Sequence, residues 1–363
     1  MILTSLSLQN FTNIEQAEFE PGRELTVICG KNGQGKTNLL EAVWLLTGGK
    51  SFRGAKDAEL IRENADFSVI EGSAVSTERE NCIRILIGSS APGTRRSRTA
   101  KVNGVDYGRA TNAAGTFTAV VFDPGHLSLV KGSPEGRRKF LDAALCQMYP
   151  GYVTLFRRYT RLVTQKNALL KKYWEIPESA SMLDVFDEEL ARIGEQVSQK
   201  RQEYLHLIKP EILRTYHDIS GGSEKLDVVY EPCCEKQETL AEVLHRSRAR
   251  DLAAGFCTEG PHREDFSFFL DGRPAKVFAS QGQQRSAVLS LKLAEAAGAQ
   301  KITGEHPVIL LDDVLSELDE TRRAYLLSRM EYRQTIVTAC DPDLFKKTSG
   351  KVYRMESGVL SAL

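Results

Sequence analysis

The feature that most constrains this chain is a glycine-rich loop set between two apolar segments. The sequence "CGKNGQGKTNLL" starts at Cys29 and places Gly30 five residues before Gly35, with Lys36 and Thr37 directly after. The β-branched run "ELTVIC" precedes the loop, and "TNLLEAVWLL", which closes it, has apolar residues at helical spacing. A buried strand, a glycine loop and a helix in that order predict an α/β fold built around a phosphate-binding loop.

The chemistry of this loop predicts a nucleotide site. Glycines let successive backbone N–H groups turn toward phosphate oxygens, and the N-terminus of the following helix adds the positive end of its dipole. Lys36 is expected to contact the β- and γ-phosphates of ATP and to take part in catalysis, and Thr37 is expected to supply a hydroxyl to Mg²⁺. The residues predicted to bind the nucleotide are Gly30, Lys31, Asn32, Gly33, Gln34, Gly35, Lys36 and Thr37.

A second apolar run ends in two carboxylates. The sequence "HPVILLDDVLSELD" (306–319) predicts a buried strand followed by Asp312 and Asp313. An aspartate at the end of such a strand holds Mg²⁺ in phosphate-loop proteins, so Asp312 is predicted to be a metal ligand beside Thr37. Asp313 can then polarise the attacking water, and we predict that it is the general base. ATP and Mg²⁺ are therefore the expected cofactors.

The segment between these motifs distinguishes among classes of phosphate-loop protein. The sequence "FASQGQQRSAVLSLKLAEAA" (278–297) has a polar entrance to a long amphipathic helix and resembles the signature loop of ABC-type ATPases. In that superfamily the signature docks onto the nucleotide of a partner subunit, and "SELD" (316–319) matches the D-loop that crosses the same interface. The resemblance implies a homodimer that forms on ATP. The predicted contacts to the partner's nucleotide are Ser280, Gln281, Gly282 and Gln283.

Further motifs span nearly the whole chain: the opening "LTSLSLQNFTNIEQAEFEPG", then "GKSFRGAKDAELI", "VFDPGHLSLVKGSPEGRRKFLD", "GPHRED" and "SQGQQRSAVLSLKLAE". Together these motifs resemble the RecF family, within the RecF and SMC group of ABC-type ATPases. The resemblance implies an ABC-type ATPase head with mixed sheets and an inserted helical lobe or short arm. It also implies a recombination mediator that dimerises on ATP at gapped or single-strand/double-strand DNA in recombinational repair and replication restart. RecR and RecO would be its partners, and a link to the SOS response would follow.

The chain departs from the pattern of the family that it resembles near the expected site. Thr12 stands where RecF proteins usually carry an arginine, Gly125 follows Pro124 where an acidic residue is usual, and residues 51–130 contain no glutamine that could serve as a Q-loop. No histidine follows the strand "TIVTAC" (335–340), so the usual switch residue is missing. We therefore expect slow hydrolysis, that is, a weak DNA-dependent ATPase whose turnover controls residence on DNA.

Other classes of protein share the phosphate loop. The ATPase subunit of an ABC transporter would have a glutamate in place of Asp313, together with a Q-loop and a switch histidine. An SMC-like structural ATPase would need hundreds more residues of coiled coil, and a small-molecule kinase would have no use for "SQGQQR". No stretch approaches the roughly 18 apolar residues of a membrane span, and the first residues lack the features of a secretory signal. We expect a cytoplasmic protein without a membrane partner.

Periodicity divides the chain into two interleaved lobes. Residues 1–124 and 301–363 are interpreted as the first ATPase lobe, with the phosphate loop, the acidic strand and the D-loop. Residues 125–300 are interpreted as the second lobe, which carries the signature. In the first lobe, glycines predict turns between short strands at Gly72, Gly93 and Gly104.

The second lobe is predicted to be helical over about residues 133–250. Apolar residues recur at helical spacing on both sides of "EIPESAS" (175–181), so two helices can fold back as an antiparallel pair. The second helix is predicted to end before Pro210 after roughly 40 Å. The pair could project as a short arm or pack as a compact subdomain.

Charge limits where nucleic acid can bind. Lys plus Arg (48) equals Asp plus Glu (48), so net charge does not draw the whole molecule to DNA and a local basic patch is required. One basic cluster is "TRRSRTAK" (94–101), and the other lies on the predicted helical pair. The candidate DNA contacts are Arg95, Arg96, Arg157, Arg158 and Arg161, with Lys166, Lys171 and Lys172 in the second cluster.

Overall fold

The computed structural model describes residues 1–88, 97–175, 179–235, 237–331, 333–340 and 350–363. The strands, numbered in chain order, are β1 (Ile2–Phe11), β2 (Ile14–Phe19), β3 (Leu25–Cys29), β4 (Ser68–Val75), β5 (Glu80–Gly88), β6 (Ser97–Val102), β7 (Val105–Arg109), β8 (Ala119–Phe122), β9 (Leu226–Glu231), β10 (Asp265–Leu270), β11 (Arg273–Pro274), β12 (Val308–Asp312), β13 (Thr335–Ala339), β14 (Lys351–Glu356) and β15 (Val359–Ala362). The helices are α1 (Lys36–Leu45), α2 (Ser128–Lys131), α3 (Pro134–Met148), α4 (Tyr152–Lys171), α5 (Ser179–Ser220), α6 (Leu240–Ala254), α7 (Ala275–Phe278), α8 (Gln281–Thr303), α9 (Val314–Glu317) and α10 (Glu320–Ser328).

The sheet that carries the glycine loop has the strand order β15-β14-β3-β13-β12-β8. All neighbours from β14 to β8 pair in parallel, and only β15 is antiparallel. The register aligns Cys29 with Ala339 and Thr338 with Asp312. Because parallel strands end at the same edge of a sheet, the glycine loop and the acidic pair are brought together there, as the sequence predicts.

A second sheet, entirely antiparallel, has the order β2-β1-β4-β5-β6-β7. Helix α1 lies between the two sheets, and Leu39, Leu40 and Val43 are fully buried in the core that they share. The opening segment of the chain forms an antiparallel hairpin of β1 and β2. A mostly parallel sheet and an antiparallel sheet that pack on opposite sides of one helix match the ABC-type head that the sequence predicts.

The glycine turns of the first lobe are only partly as predicted. Gly104 lies in a turn between β6 and β7 with a positive φ of 80°. Gly93 lies outside the described residues. The turn predicted at Gly72 is wrong, because this residue lies inside β4. A Cβ on Gly72 would be 2.4 Å from Leu46 Cδ1, so glycine leaves room in the strand for the buried Leu46 side chain.

The second lobe has its own core. Strands β9, β10 and β11 form a three-stranded sheet, against which α3, α5 and α8 pack. Strand β9 interrupts the region predicted to be helical. Helix α8 serves both cores, since Leu291 faces the second lobe whereas Leu289 and Leu293 pack near β12 and β13. We keep the division of the chain at about residues 124 and 300 as a proposal that these separate cores support.

The two predicted helices are present as α4 and α5, but the end predicted before Pro210 is wrong. Helix α5 is 42 residues long and contains Pro210 in its interior. Ile208 and Ile212 are buried on either side of the proline. Packing of this segment against the core therefore compensates for the backbone hydrogen bond that proline cannot make.

The amino-terminal half of α5 packs with α4 and α6 in a small core that includes Tyr159, Leu190, Ile193 and Val243. Helix α5 continues against α8 in the main core of the second lobe. Helices α4, α5 and α6 thus form one packed helical unit. None of the described helices combines the length and apolar character needed to cross a bilayer.

Candidate nucleotide-binding site

The loop between β3 and α1 takes a conformation that only glycine can adopt easily. Gly30, Gly33 and Gly35 have φ values of 156°, 80° and 115°. A Cβ on Gly30 would lie 2.3 Å from the carbonyl oxygen of Met355, and one on Gly35 would lie 2.8 Å from Asn13 Oδ1. Backbone conformation favours glycine at all three positions, and the closeness of neighbouring segments adds to this at Gly30 and Gly35, whereas Gly33 has no atom within 4 Å of a Cβ position.

Two hairpin turns hold the loop in place. The carbonyl oxygen of Gln34 accepts hydrogen bonds from the N–H of Gly358 (2.9 Å) and from Asn13 Nδ2 (3.1 Å). Gln34 Oε1 accepts the N–H of Ser357 (2.6 Å). Asn13 lies between β1 and β2, and residues 357–358 lie between β14 and β15. These contacts fix the backbone of the loop, and a loop at a helix N-terminus can bind phosphate through its N–H groups.

Lys36 is the first residue of α1, and its side chain folds back over the loop. The residue is only 4% exposed. Its ammonium donates to the carbonyl oxygens of Gly30 (2.7 Å) and Lys31 (3.1 Å). A lysine held there can exchange carbonyl partners for phosphate oxygens and provides a positive charge at the loop.

Thr37 and Asp312 meet although they are 275 residues apart in sequence. Thr37 Oγ1 donates to Asp312 Oδ1 (2.8 Å), and Thr338 Oγ1 donates to the same oxygen (2.9 Å). Burial raises the pKa of Asp312, the two hydroxyl groups lower it, and the neighbouring Asp313 raises it again. A hydroxyl beside a carboxylate is a suitable donor set for Mg²⁺, which takes few protein ligands and completes its shell with phosphate and water.

Asp313 is placed at the open side of the site. Its backbone adopts a left-handed conformation with φ of 54°, which is uncommon outside glycine. Its N–H donates to Thr338 Oγ1 (2.9 Å), so one threonine aligns both aspartates. Its carboxylate is partly exposed and lies within 3.8 Å of the Cys340 thiol. The predicted role as general base remains a prediction that this position allows.

Cys340 is a site residue that the sequence analysis missed. Its thiol donates to Asn32 Oδ1 (2.9 Å) and lies 3.6 Å from Lys36 Nζ. It directly follows β13, the strand between those that carry the loop and the acidic pair. The sequence signal was available, because a residue that follows a parallel strand faces the same edge as its neighbours. The sequence analysis noted only that no histidine follows this strand.

Arg53 and Glu41 form a second missed feature. Glu41 lies in α1 and is fully buried, and Arg53 Nε donates to its carboxylate (2.8 Å). Ser51 donates to the same carboxylate. Arg53 also lowers the pKa of Asp312, so its charge reaches the proposed metal position. The motif "GKSFRG" contributes to the family resemblance, but nothing in its spacing indicates this contact.

Asp123 adds a third carboxylate to this edge. It directly follows β8, whose register places Phe122 beside Leu311 and therefore Asp123 next to Asp312. Burial raises the pKa of Asp123, and the charge of Asp312 raises it further, whereas Arg53 lowers it. The departure from the family motif lies two residues later, at Gly125, and the carboxylate of Asp123 was not predicted to matter.

The predicted signature residues lie at the start of α8. Ser280 Oγ accepts the N–H of Gln283 (3.3 Å), and Gln283 Oε1 accepts the N–H of Ser280 (2.6 Å), which together form a capping box. Gln283 Nε2 also donates to Glu224 (2.5 Å). Ser280 and Gln281 are exposed, so the N-terminus of this long helix opens to solvent.

The predicted D-loop is next to the signature. Arg285 Nη1 donates to the carbonyl oxygen of Glu317 (2.8 Å), and Arg322 Nε donates to Ser286 Oγ (2.8 Å). These bonds join the first turns of α8 to α9 and α10. Residues 316–319 and the signature therefore form one continuous surface.

The predicted DNA contacts of α4 differ in how their charges are used. Arg157 Nη2 donates to Thr111 Oγ1 (2.7 Å), and Arg158 pairs with Glu189 (2.6 Å) at an exposed position. Arg161 is exposed and has no ion pair within the described part of the chain. Arg161 is therefore the most available of the three for a phosphate.

The prediction for Lys166 is wrong. This side chain is 1% exposed, and its ammonium lies 2.6 Å from Asp187 Oδ1 and 3.1 Å from Asp251 Oδ2. Its charge is neutralised inside the helical unit and cannot reach DNA. Arg95 and Arg96 lie outside the described residues, so their prediction is untested.

Comparison with known proteins gives consistent relatives. The chain matches the family model described as RecF/RecN/SMC N terminal domain over residues 2–359. The DNA replication and repair protein RecF of Bacillus thuringiensis (strain Al Hakam) is 38% identical over 354 residues, which cover 94% of this chain and 93% of that protein. RecF of Bacillus cereus (strain B4264) matches to the same extent.

Solved structures agree with these relatives. A structure described as the recombination mediator protein RecF with ATP in the RecFOR pathway is 32% identical, with a TM-score of 0.91 over 100% of this chain and 97% of that one. An Smc head bound to the C-winged helix domain of ScpA is 16% identical with a TM-score of 0.58, and shares the fold alone. This chain therefore belongs to the RecF family, in the RecF/RecN/SMC group of ABC-type ATPases.

Proposed function

We propose that this chain is an ATP-dependent DNA-binding protein, a recombination mediator that dimerises on ATP at gapped or single-strand/double-strand DNA. Slow, DNA-dependent ATP hydrolysis would control how long the dimer stays on DNA during recombinational repair and replication restart. The relatives' RecFOR pathway makes RecR and RecO the expected partners and the cytoplasm the expected location.

The observation that carries the proposal is the convergence of Lys36, Thr37 and Asp312 at one sheet edge. Lys36 would bind the β- and γ-phosphates, while Thr37 and Asp312 would hold Mg²⁺. The bound metal would neutralise phosphate charge. Asp313, aligned through Thr338, would accept a proton from the attacking water.

The position of the signature supports a dimer. Within the described residues, no hydrogen bond or ion pair links residues 280–283 to residues 30–37. The exposed helix N-terminus at Ser280 is a second anion site that its own nucleotide loop does not use. In a two-fold dimer each signature would cover the partner's nucleotide, so that ATP is shared between two chains.

Slow turnover follows from the side chains at the open side of the site. Cys340 takes the place after β13 where a switch histidine would stand. A thiol is a weak hydrogen-bond donor compared with an imidazole, and it would do little to stabilise charge that develops on the γ-phosphate. A long-lived ATP state suits a protein that uses nucleotide as a timer.

DNA contacts are proposed on the helical unit. Arg161, Lys171 and Lys172 are exposed and have no carboxylate partner in the described ranges. Arg158 could exchange Glu189 for a phosphate, because an exposed ion pair contributes little. A dimer presents each of these residues twice, which compensates for the neutral net charge of one chain.

The test measures DNA binding with and without ATP. Fluorescence anisotropy on gapped, duplex and single-stranded DNA should show tighter binding with ATP than with ADP, with gapped DNA preferred. The Lys36→Ala variant should lose ATP-dependent dimerisation and the ATP-dependent part of DNA binding, because its charge-assisted phosphate contact, of about 1.5–3 kcal/mol, is removed. Equal DNA affinity with ATP, ADP and no nucleotide would contradict the proposal.

A further inference from the structure

We infer that Val277 and Phe278, at the end of α7, form an apolar anchor that a second copy of this chain covers when the ATP dimer closes. This inference rests on the proposed dimer and extends it. It assigns binding energy at the interface to two side chains outside the nucleotide-contacting motifs.

The exposure of these residues is the first reason. Val277 is 72% exposed and Phe278 is 60% exposed, whereas Ala275 in the same short helix is buried and anchors it to β10. Adjacent large apolar side chains in water are unfavourable, and contiguous exposed apolar surface commonly marks an interaction site.

The location is the second reason. Phe278 lies two residues before Ser280, the cap of α8, and every residue from 276 to 278 is exposed. The same surface continues through the start of α8 to residues 316–319, which Arg285 joins to the signature. The apolar anchor therefore adjoins the face that would meet the partner's nucleotide loop.

The type of side chain is the third reason. The guanidinium of Arg273 lies 5.8 Å from the ring centroid of Phe278, a cation–π contact that orients the ring while leaving most of it exposed. Aromatic and arginine side chains carry a large share of the energy in protein interfaces. In a two-fold dimer this Arg273–Phe278 pair would occur twice, so the effect of any substitution is doubled.

A second copy is the occupant that these observations favour. The signature face must be open in the monomer to receive a partner and closed in the ATP state, and an anchor on that face shares this cycle. Exposure in the free chain is then a requirement of reversible closure.

The experiment compares Phe278→Ser and Val277→Asp with Val185→Asp. Val185 is 64% exposed on α5, which matches Val277 in residue type and exposure but not in position. Light scattering across a concentration series with ATP would measure the dimer dissociation constant. ATP affinity of the dilute monomer would be measured in parallel to show that each variant is folded and that its own nucleotide loop is intact.

We expect the two seam variants, Phe278→Ser and Val277→Asp, each to raise the dissociation constant of the ATP dimer by about tenfold or more. The ATP affinity of their monomers should be unchanged, and Val185→Asp should behave like the wild type. A dimer of wild-type strength in both seam variants, while Ser280→Arg abolishes it, would overturn the anchor and leave the proposed dimer standing. Normal dimerisation with weakened DNA binding would assign the patch to DNA and also overturn the inference. A wild-type chain that stays monomeric with ATP would overturn the proposed dimer and the anchor together.

Discussion

The nucleotide loop and the helical unit both carry basic residues, but they use them in different ways. In the loop, Lys36 is held by backbone carbonyl oxygens and has no ion pair among the described residues. In the helical unit, Lys166 is held by two buried carboxylates and its charge is neutralised. Both side chains are almost fully buried, so burial alone does not separate a ligand-binding lysine from a structural one.

The difference lies in the partner atoms. Neutral carbonyl partners can be exchanged for phosphate at low cost, whereas separating a buried ammonium from its carboxylates leaves uncompensated charge inside the protein. The second lobe contains another such cluster, in which Arg201 binds Asp142 through two hydrogen bonds of 2.8 Å and donates to the carbonyl oxygen of Pro261 (2.6 Å). Ion pairs between buried side chains therefore stabilise the second lobe, whereas the site in the first lobe depends on a lysine whose partners a ligand can replace.

The largest expected effect concerns the nucleotide side of this comparison. Asp313→Asn keeps the shape of the side chain but removes the base, so we expect the hydrolysis rate to fall roughly a hundredfold to ten-thousandfold. ATP binding depends on the loop and should change little, and residence on DNA should lengthen. Single-turnover hydrolysis and DNA dissociation rates would be measured together. Blocked hydrolysis with unchanged or faster DNA release would contradict the timing role.

The next effect tests the structural lysine. Lys166→Met leaves Asp251 buried without a cation, while Asp187 keeps its ion pair with Arg248, so we expect a loss of about 3–5 kcal/mol in the free energy of unfolding. Lys172→Met, at an exposed position of the same region, should change it by less than about 0.5 kcal/mol. Urea unfolding of the two variants would be compared. A stable Lys166→Met protein with weakened DNA binding would restore the original prediction for this residue.

A smaller effect concerns pH. His262 Nε2 donates to the carbonyl oxygen of Cys257 (3.1 Å), and Nδ1 therefore accepts the hydroxyl of Tyr159 (2.6 Å). Burial lowers the pKa of His262 from its ordinary value of 6.5 to about 4. The unfolded chain then binds a proton at higher pH than the folded one, so this contribution to stability is present above pH 6.5 and is lost as the pH falls toward 4.

The measurement is the free energy of unfolding of the wild type and of His262→Gln at pH 7 and pH 5. We expect the wild type to lose about 2 kcal/mol more than the variant over this range. All other titrating groups are shared by both proteins and cancel in the comparison. Parallel pH dependence in the two proteins would show that the imidazole is not held neutral.

The smallest effect concerns available charge on the helical unit. Arg161→Gln should weaken DNA binding similarly for all sequences and reduce the slope of log affinity against log salt by about one per lost phosphate contact. Arg157→Gln should affect this slope less, because Arg157 is already bonded to Thr111. Anisotropy titrations at several salt concentrations would distinguish the two. Equal slopes for all three proteins would remove Arg161 from the DNA surface.

Much of the nucleotide-binding site could be predicted because its sequence signals are local. The glycines, Lys36 and Thr37 are contiguous, and Asp312 ends an apolar run whose parallel pairing follows from the fold class. Cys340, Arg53 and Asp123 were missed because each reaches the site from a separate segment. Their contribution depends on which strand ends and loops become neighbours. Cys340 and Asp123 directly follow buried strands, which indicates the sheet edge, but nothing in the sequence indicates the contact of Arg53 with Glu41.

The sequence by itself determined the nucleotide loop, the alternating and helical segments, and the resemblance that led to the RecF family. Those features depend on short-range geometry and on hydrogen bonding within a few residues. Only the tertiary structure decided that Gly72 lies within a strand, that α5 continues through Pro210 and that Lys166 is neutralised. In each case a contact with a residue distant in sequence, Leu46 or Asp251 for example, outweighs the local preference, because burial and charge pairing are energetically larger than single-residue propensities.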